Sequence, residues 1–580
     1  MRSFAPNLLA LSLAFSSTAA MAAPDLVLFN GKLYTADPSH PSAQAMAVED
    51  GKVLKLGSDA EIKALADGST RLIDLAGKRL MPGLIDTHSH AIFGGLELSI
   101  ANMQDEVVEL AELERRLRGW RDDGTARQGE VLNVVGMSSA YWGKTEELGR
   151  IFNQGEWAEV PVVFSGSDHH TGWANRAMLA RAGIDAGLIA ALPEAERGTL
   201  GASKDGQPNG FAVDAGWDRI AAALPPASTD TLLKAGETAV KYNNSQGITA
   251  WMDPAANAAP GEAIFALKPT EQSVGVLPVY KALAEKGALT AHVAALLVAN
   301  PKSRPADLDT LDTVRQRFRG IPNLSLPGIK VFADGVLEYP AQSAALIDPY
   351  TNSQTRGELL IEPEHFGELV SAADARGWLV HIHAIGDRAV REALNGIEQA
   401  RTDRSSGIAH SITHLQLVNP KEFARFKPLD VTASMQLLWA SGDDYTLDLV
   451  KPYVSAFAFR YQYPAHSLLS QGAMIAGASD WPVSSPNPWQ AIAQAISREG
   501  PKGVLNPDER IDRATMLQAY TLNAARTIGL EDTIGSLAPG KQADFIVLDR
   551  DVLEVTDQDL AETRVLQTWF GGREVFDANR

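Results

Sequence analysis

Eight apolar, strand-like runs, most of them followed by a helical pattern, occupy the middle of the chain. The runs end at His90, Asp253, Val298, Gly335, Asp387, His414, Gln436 and Asp480. Regular alternation of strands and helices is typical of a parallel α/β fold. Eight such strands are the number that closes a (β/α)8 barrel of the TIM type. The sequence therefore predicts a barrel over residues 80–537.

The two ends of the chain have a different pattern from the middle. Residues 25–35 and 45–57 each contain two short apolar runs joined by Asn-Gly or Asp-Gly, which is a hairpin pattern. The C-terminal runs ADFIVLD and VLQTWFGGREVF look alike. We expect residues 23–79 and 538–580 to pair into one small, composite β-sandwich domain, with the barrel inserted between its halves.

The barrel segment exceeds the ~250 residues typical of this fold, so it must carry insertions. The largest insertion falls after the first strand, at about 95–240, and contains the strand-like runs VLNVVG and VPVVFSG. We expect this segment to shape the lid of any pocket at that end of the barrel.

Residues 1–22 have the pattern of a secretory signal peptide. Arg2 supplies the positive charge, residues 8–15 are apolar, and residues 20–22 form a small-residue cleavage site. The apolar stretch is too short to anchor the chain in a membrane. These features predict a periplasmic or secreted protein without membrane attachment once the signal peptide is removed.

The composition excludes some kinds of catalytic chemistry and some classes of binding partner. The chain has no cysteine and a formal net charge of −19. Disulfides and thiolate chemistry are therefore excluded, and the acidic balance argues against nucleic-acid binding. We expect a small-molecule substrate as partner; a homodimer is an open alternative for the assembly.

His88 and His90 follow the first apolar run, one residue apart. In a strand, residues i and i+2 point to the same face, so the two imidazoles would converge. Two convergent imidazoles suit a metal ion. The alternative is a pair of loop histidines, solvated or hydrogen-bonded.

Further polar residues lie at the ends of later runs, where a barrel of this kind builds its active site. They are Lys330, His381, His383, His414 and Asp480. Together with His88 and His90, this set holds five of the 12 histidines in the chain. Asp480 could be a ligand, a general base, or both; the alternative is a helix N-cap. For the fifth run we favour His383 as the ligand and His381 as a supporting or core histidine.

Lys330 lies inside the apolar run GIKVFA, where a charged ammonium is costly to bury. A lowered pKa would give a neutral, nucleophilic amine. Such an amine can react with CO₂ and become a carbamate, which is an anionic metal ligand. The alternative is an ammonium at the wet end of the strand, paired with Asp334.

Taken together, the motifs resemble the amidohydrolase superfamily, most closely the branch of the N-substituted formamide deformylases. The matching segments are LMPGLIDTHSH, SDHHTGWANRAML, GITAWMD, GIKVFADG, HIHAIGDRAV, ITHLQLV, GASDWPV and AYTLNAARTIGLEDTIGSLAPGKQADFIVLD. The resemblance extends over nearly all of the chain after residue 22. The resemblance implies a metal-dependent hydrolase barrel with a composite β domain.

The resemblance also implies a role for each matching residue. His88 and His90 would be ligands from the first strand, Lys330 a carboxylated bridging ligand, and His383 and His414 ligands of a second metal. Asp480 would take a proton from the attacking water. His170 would face the substrate, whereas His169 stands where that branch often has glycine.

The chain departs from the branch pattern at three places. Thr413 stands where a glutamate is usual, Trp439 where a histidine is usual, and the loop ADGVLEYPAQS differs. These changes spare the implied ligands and put the substrate in doubt. Trp439 and Trp481 would make the pocket more aromatic; either could equally be ordinary packing.

The expected activity is hydrolysis of an amide-like C–N bond, helped by one or two divalent ions. We expect Zn²⁺, although ligands without sulfur do not exclude Mn²⁺ or Fe²⁺. A deaminase or cyclic-amidine hydrolase with one metal is an alternative, and it needs an uncarboxylated Lys330. A non-catalytic exported protein, regulatory or ligand-binding, is a second alternative, which lost ligands would support. A serine hydrolase is disfavoured because the chain has no Gly-x-Ser-x-Gly elbow.

Overall fold

Eight parallel strands form one sheet at the centre of the molecule, in the order in which they follow along the chain. They are Leu84–Asp86, Ile248–Asp253, His292–Val298, Leu324–Phe332, Leu379–Ala384, His410–His414, Val431–Met435 and Met474–Gly477. Beyond the first strand, the amide of Thr87 donates to the carbonyl of Gly477 at 3.0 Å, which joins the first strand to the last. The predicted TIM-type barrel is confirmed.

A computed structural model describes residues 23–580, apart from 263, 266, 404 and 405. The predicted signal peptide, residues 1–22, lies outside the described residues. Within them, no helix has both the length and the apolar character needed to cross a bilayer.

Helices cover the outside of the barrel and bury one apolar face each. They are Ala91–Glu97, Thr229–Ser245, Leu277–Glu285, Asp307–Arg317, Pro363–Ala375, Asp387–Asp403, Ala465–Ser470, Pro488–Ser497, Arg513–Ala519 and Leu522–Thr527. In Pro363–Ala375 the buried Phe366, Leu369, Val370 and Ala373 recur every three or four residues, the spacing of one helix face. Most residues of the strands they cover are buried on both faces, as in other parallel sheets.

Two further sheets lie at the ends of the chain. One contains Lys52–Gly57, Ala45–Glu49, Leu26–Phe29 and Arg71–Asp74; the other contains Arg573–Asp577, Val565–Phe570, Phe545–Leu548, Arg79–Pro82, Lys32–Tyr34 and Ser42–Ala43. The second sheet combines strands from both ends, because Arg79–Pro82 pairs with Phe545–Leu548. One apolar cluster joins the two sheets and includes Leu26, Met46, Leu80 and Phe545. The domain boundaries at 79 and 538 stay a prediction.

The run LMPGLID forms two strands rather than one. Arg79–Pro82 belongs to the composite sheet, and Leu84–Asp86 belongs to the barrel. Gly83 separates them and lies against Thr249, whose Oγ1 would be 2.1 Å from a Cβ at position 83. The backbone therefore passes from one sheet to the other at a glycine, the residue type whose missing side chain allows this close contact.

The segment after the first barrel strand has a sheet and a core of its own. Its sheet contains Leu200–Ala202, Pro208–Val213, Thr171–Ala174, Val162–Gly166, Val131–Met137 and Arg127–Gln128. Its helices are Leu110–Asp123, Thr145–Phe152, Arg176–Arg181, Ala186–Ala191 and Ala215–Ala221. The runs VLNVVG and VPVVFSG are both strands, and they pair in parallel.

Candidate metal centre

The C-terminal ends of the barrel strands bring together histidines from distant parts of the chain around Asp480. One carboxylate oxygen of Asp480 lies 3.3 Å from His88 Nε2 and 3.4 Å from His90 Nε2. The other lies 3.8 Å from His414 Nδ1. The side chains expected to converge from the first, sixth and eighth strands therefore do meet.

The route by which His88 and His90 converge differs from the prediction. The first strand ends at Asp86, and His90 is the residue that precedes helix Ala91–Glu97, so the two histidines do not share a strand face. The carboxylate of Asp86 accepts hydrogen bonds from the amide of His88 at 3.1 Å and from Ser479 Oγ. These bonds turn the chain and still bring the two imidazole centroids to 5.4 Å.

Two residues of the centre have left-handed backbone conformations. His414 has a φ of 75° and Asp480 a φ of 57°. Residues other than glycine seldom adopt this region, although aspartate and histidine do so more often than most. Conformations of this kind in residues other than glycine are concentrated at functional sites.

Burial and neighbouring charges determine the protonation of the centre. Burial alone would raise the pKa of Asp480, but the contacts with His88, His90 and His414 outweigh it and hold this pKa well below its usual value. Burial, reinforced by the charge of Lys330, lowers the pKa of His88 to about 3. The centre therefore holds a carboxylate beside the neutral imidazoles of His88 and His414, the forms that bind metals.

Lys330 is enclosed in the barrel without an ionic partner. Its side chain is buried, and Nζ has no hydrogen-bond partner. Burial lowers its pKa to about 7, although Asp480 opposes this shift. The alternative pairing with Asp334 is wrong, because that carboxylate instead accepts hydrogen bonds from the backbone amides of Ala345, Ile385 and Gly386 at 2.8–2.9 Å.

The two histidines of the fifth strand have different neighbours. His381 Nε2 lies 2.7 Å from His88 Nδ1, and His381 Nδ1 lies 2.6 Å from Ser411 Oγ. His381 is thus placed to orient His88, as partners of metal-binding histidines commonly do. The ring of His383 is centred 4.5 Å from that of His414, and its Nε2 lies 3.1 Å from the carbonyl of Gly335.

The residues of the centre fit a divalent cation. Lys330 Nζ, His414 Nδ1 and Asp480 Oδ1 are all buried without a hydrogen-bond partner, a rare state for protein polar atoms. Donor atoms of His88, His414 and Asp480 all lie within 4.8 Å of one another. Nitrogen and oxygen donors without sulfur suit hydrolytic Zn²⁺ and related ions.

His170 reaches the centre from the insertion. Its ring is centred 5.6 Å from that of His383, and its Nδ1 lies 2.8 Å from Asp214 Oδ1. Burial alone would lower the pKa of His170, but Asp214 outweighs it and raises this pKa. Asp214 was missed from the sequence because no periodic pattern distinguishes it within the long insertion. His169 instead contacts Glu97, at 3.5 Å.

Two cavities open onto the centre. The larger, of about 570 Å³, is lined by His383, His414, Asp480 and both of the tryptophans predicted to contact substrate. Trp439 stacks on His414 with ring centroids 5.8 Å apart, whereas the buried Trp481 packs against Tyr242. The smaller cavity, of about 180 Å³, reaches the same histidines from the side of the insertion.

A model of the amidohydrolase family matches residues 71–576, which is most of the chain. The chain belongs to the amidohydrolase family. The predicted resemblance is confirmed, and at the level of the family this amidohydrolase is a metal-dependent hydrolase acting on carbon–nitrogen bonds.

Named relatives match this amidohydrolase over nearly its whole length. It is 30% identical over 567 residues to Protein LONG AFTER FAR-RED 3 of Arabidopsis thaliana, covering 95% of this chain and 91% of the relative. It is 24% identical over 576 residues to the N-substituted formamide deformylase of Arthrobacter pascens, covering 94% and 97%. The crystal structure of an uncharacterized metal-dependent hydrolase from Pyrococcus horikoshii shares the fold, with a TM-score of 0.69, 24% identity, and 92% and 99% of the two chains covered.

Proposed function

We propose that this amidohydrolase cleaves a non-peptide or amide-like C–N bond, in a formamide, a cyclic amide or an N-acyl compound. The observation that carries the proposal is the convergence of three buried, unpartnered polar atoms, on Lys330, His414 and Asp480. They meet at the C-terminal end of the barrel, where enzymes of this fold have their active sites. The formamide deformylase among its relatives supports this substrate class.

The residues that would hold the metal are those that converge on the centre. They are His88, His90, Lys330, His383, His414 and Asp480. A divalent cation held there, for which we propose Zn²⁺ in one or two copies, would polarise the substrate carbonyl and would lower the pKa of water from roughly 15.7 to about 7.

Lys330 is proposed to be carboxylated. Its amine has a pKa of about 7 because it is buried, so a large fraction is neutral near that pH. When the neutral amine attacks CO₂, an N–C bond forms, one proton is released, and a carbamate results. The carbamate has two oxygens, which suits a ligand shared by two ions, and it replaces an unpartnered amine by an anion.

Two side chains of this chain would act on the substrate. Asp480 is ionised because its pKa is held low, so it can accept the proton of the attacking water and return it to the leaving nitrogen. His170 has its Nδ1 occupied by Asp214, which leaves Nε2 to donate a hydrogen bond to the oxygen that becomes negative.

The test combines metal content with hydrolysis of N-hexylformamide. The full chain, purified with Zn²⁺ and bicarbonate, should contain about two divalent ions by elemental mass spectrometry and should release hexylamine. Lys330→Ala should lower both quantities. Lys302→Ala, which removes an exposed lysine, is the matched control and should change neither. A chain without metal and without turnover would overturn the proposal and favour the non-catalytic alternative.

A one-metal deaminase or cyclic-amidine hydrolase is the second candidate. The observation that favours it is the compact group of His88, His414 and Asp480, whose donor atoms lie within 4.8 Å of one another without Lys330. This candidate requires one ion per chain, an unchanged count in Lys330→Ala, and release of ammonia or ring opening of an amidine.

A further inference from the structure

The wall of the larger cavity carries carboxyl groups and no lysine or arginine among the described residues. The acidic residues that line it are Glu97, Asp105, Asp168, Glu338, Asp443 and Asp480. Asp480 belongs to the metal centre, and the other five form the group that we call the acidic wall. Away from the metal centre and His170, this wall therefore offers an anionic substrate no lysine or arginine to pair with.

Four members of the acidic wall are satisfied by uncharged donors. Asp105, Asp168, Glu338 and Asp443 accept hydrogen bonds from hydroxyl, amide and backbone groups. The side-chain donors are Tyr445, Ser167, Ser139, Thr171, Gln416 and Thr446. No ion pair with lysine or arginine involves any of the five within the described part of the chain, so a cationic group of a ligand would meet no competing lysine or arginine there.

Glu97 is the exception, because none of the described residues donates a hydrogen bond to it. It is 9% exposed, and it lines both cavities. Its nearest ionisable neighbour is His169, whose Nε2 lies 3.5 Å away and has no hydrogen-bond partner of its own. A buried carboxyl group without a donor costs stability, so its position requires another explanation.

Aromatic rings surround the same space. Tyr242, Trp439 and Trp481 line the larger cavity with Glu97. Gly94, one helical turn before Glu97, lies so close to Trp481 that a Cβ at position 94 would be 2.5 Å from the indole. Helix Ala91–Glu97 therefore presents Glu97 beside this indole. Aromatic faces together with carboxylates are the groups that bind organic ammonium ions.

We propose that Glu97 binds a protonated amine of the substrate, at a distance from the bond that is cleaved. The ammonium would donate to the Glu97 carboxylate, and its methylene groups would lie against Trp481 and Trp439. This inference rests on the proposed function, since it names the class of amide that the enzyme accepts: a compound with a basic nitrogen apart from the scissile one.

The test compares two formamides that differ only at the far end. N-(6-aminohexyl)formamide ends in an ammonium, and N-hexylformamide ends in a methyl group. With the metal-loaded full chain at pH 7.5, kcat/KM should be at least about tenfold higher for the cationic compound, which corresponds to about 1.4 kcal/mol.

Variants then assign the preference to Glu97. Glu97→Gln should remove the preference by lowering kcat/KM for the cationic compound alone. Glu130→Gln, an exposed surface change in the insertion, is the matched control and should leave both values unchanged. Equal hydrolysis of the two formamides by the unmodified enzyme would overturn the inference and leave the proposed function intact.

A binding measurement separates this inference from the proposed function. If neither formamide is hydrolysed, calorimetric titration with 1,6-diaminohexane and with 1,6-hexanediol still tests Glu97. Binding of the diamine but not the diol, weakened at least tenfold in Glu97→Gln, would support the amine site although the proposed reaction had failed. Absence of diamine binding, or equal binding of the two compounds, would overturn it.

Discussion

The metal centre and the acidic wall each bury a carboxyl group, but they surround it differently. Asp480 is in contact with His88, His90 and His414, which keep its pKa low in spite of burial. Glu97 has no comparable neighbour, and burial raises its pKa to about 8. Asp480 is therefore ionised at the metal centre. Glu97, at the acidic wall, would be ionised more readily once a cationic partner is bound beside it.

The largest expected effect lies at the centre. Asp480→Asn removes the proton acceptor and should lower kcat for N-hexylformamide by about 10³-fold, within the range for a general base. Because Asp480 is also a proposed ligand, metal content must be measured beside kcat. A loss below tenfold in a variant that retains its metal would contradict the assignment as base.

A smaller loss is expected from the histidine that the insertion contributes. His170→Gln should lower kcat by about 10²-fold and leave the metal count unchanged, because His170 supplies a hydrogen bond and is not a proposed ligand. Asp214→Asn should have an effect in the same direction, since it removes the charge that raises the pKa of His170. A fall in metal content in His170→Gln would instead place His170 among the ligands.

His381, which contacts the proposed ligand His88, should affect the affinity of the centre for metal. His381→Ala removes the nitrogen that lies 2.7 Å from His88 Nδ1, and it should weaken Zn²⁺ binding by about 10–100-fold in competition with a chelator. His365→Ala, on a helix surface, is the matched control. Unchanged affinity would mean that packing alone orients His88.

The last expected effect lies at the acidic wall and concerns stability rather than activity or metal binding. The folded-state pKa of Glu97, about 8, lies above its ordinary value of 4.5, so burial favours the protonated form. The stabilisation from protonation is complete below pH 4.5 and is lost as the pH rises through 8. Glu97→Gln cannot ionise, so its free energy of unfolding should exceed that of the unmodified chain at pH 9 by up to about 4–5 kcal/mol, since each pKa unit corresponds to about 1.36 kcal/mol.

Thermal unfolding at pH 5 and pH 9 checks the last prediction. The two chains should melt at similar temperatures at pH 5 and separate at pH 9, with the variant more stable. Separation at pH 5 as well would show that Glu97 acts through packing rather than charge. If Glu97→Gln gains stability but loses the preference for the cationic formamide, Glu97 lowers the stability of the folded chain and also binds the substrate amine.

The barrel and much of its metal centre could be predicted from the sequence, because the signals that indicate them lie within short stretches of the chain. Buried parallel strands are continuous apolar runs, so a polar residue at their ends, such as Lys330 or His414, is conspicuous. Since strand ends converge in a barrel, position along each run was enough to group these residues. Their roles as ligands stay a prediction.

Other features depend on contacts that no local pattern records. The first strand ends at Asp86, and that carboxylate accepts a hydrogen bond from Ser479, which is distant in the sequence. The pairing of His170 with Asp214 joins two parts of an irregular insertion. Glu97 ends a short helix of ordinary composition, and only the folded chain shows that no described residue donates a hydrogen bond to it.

The change of sheet at Gly83 has a mechanical consequence. On one side of Gly83, Arg79–Pro82 is hydrogen-bonded to a strand formed by residues 545–548; on the other, Leu84–Asp86 leads directly to His88. The C-terminal strand formed by residues 545–548 is therefore connected to the metal centre through one short, continuous segment of backbone. The small sheets and the barrel should therefore unfold together, in one cooperative transition. Local unfolding of the C-terminal strand should increase the motion of the histidines at the metal centre.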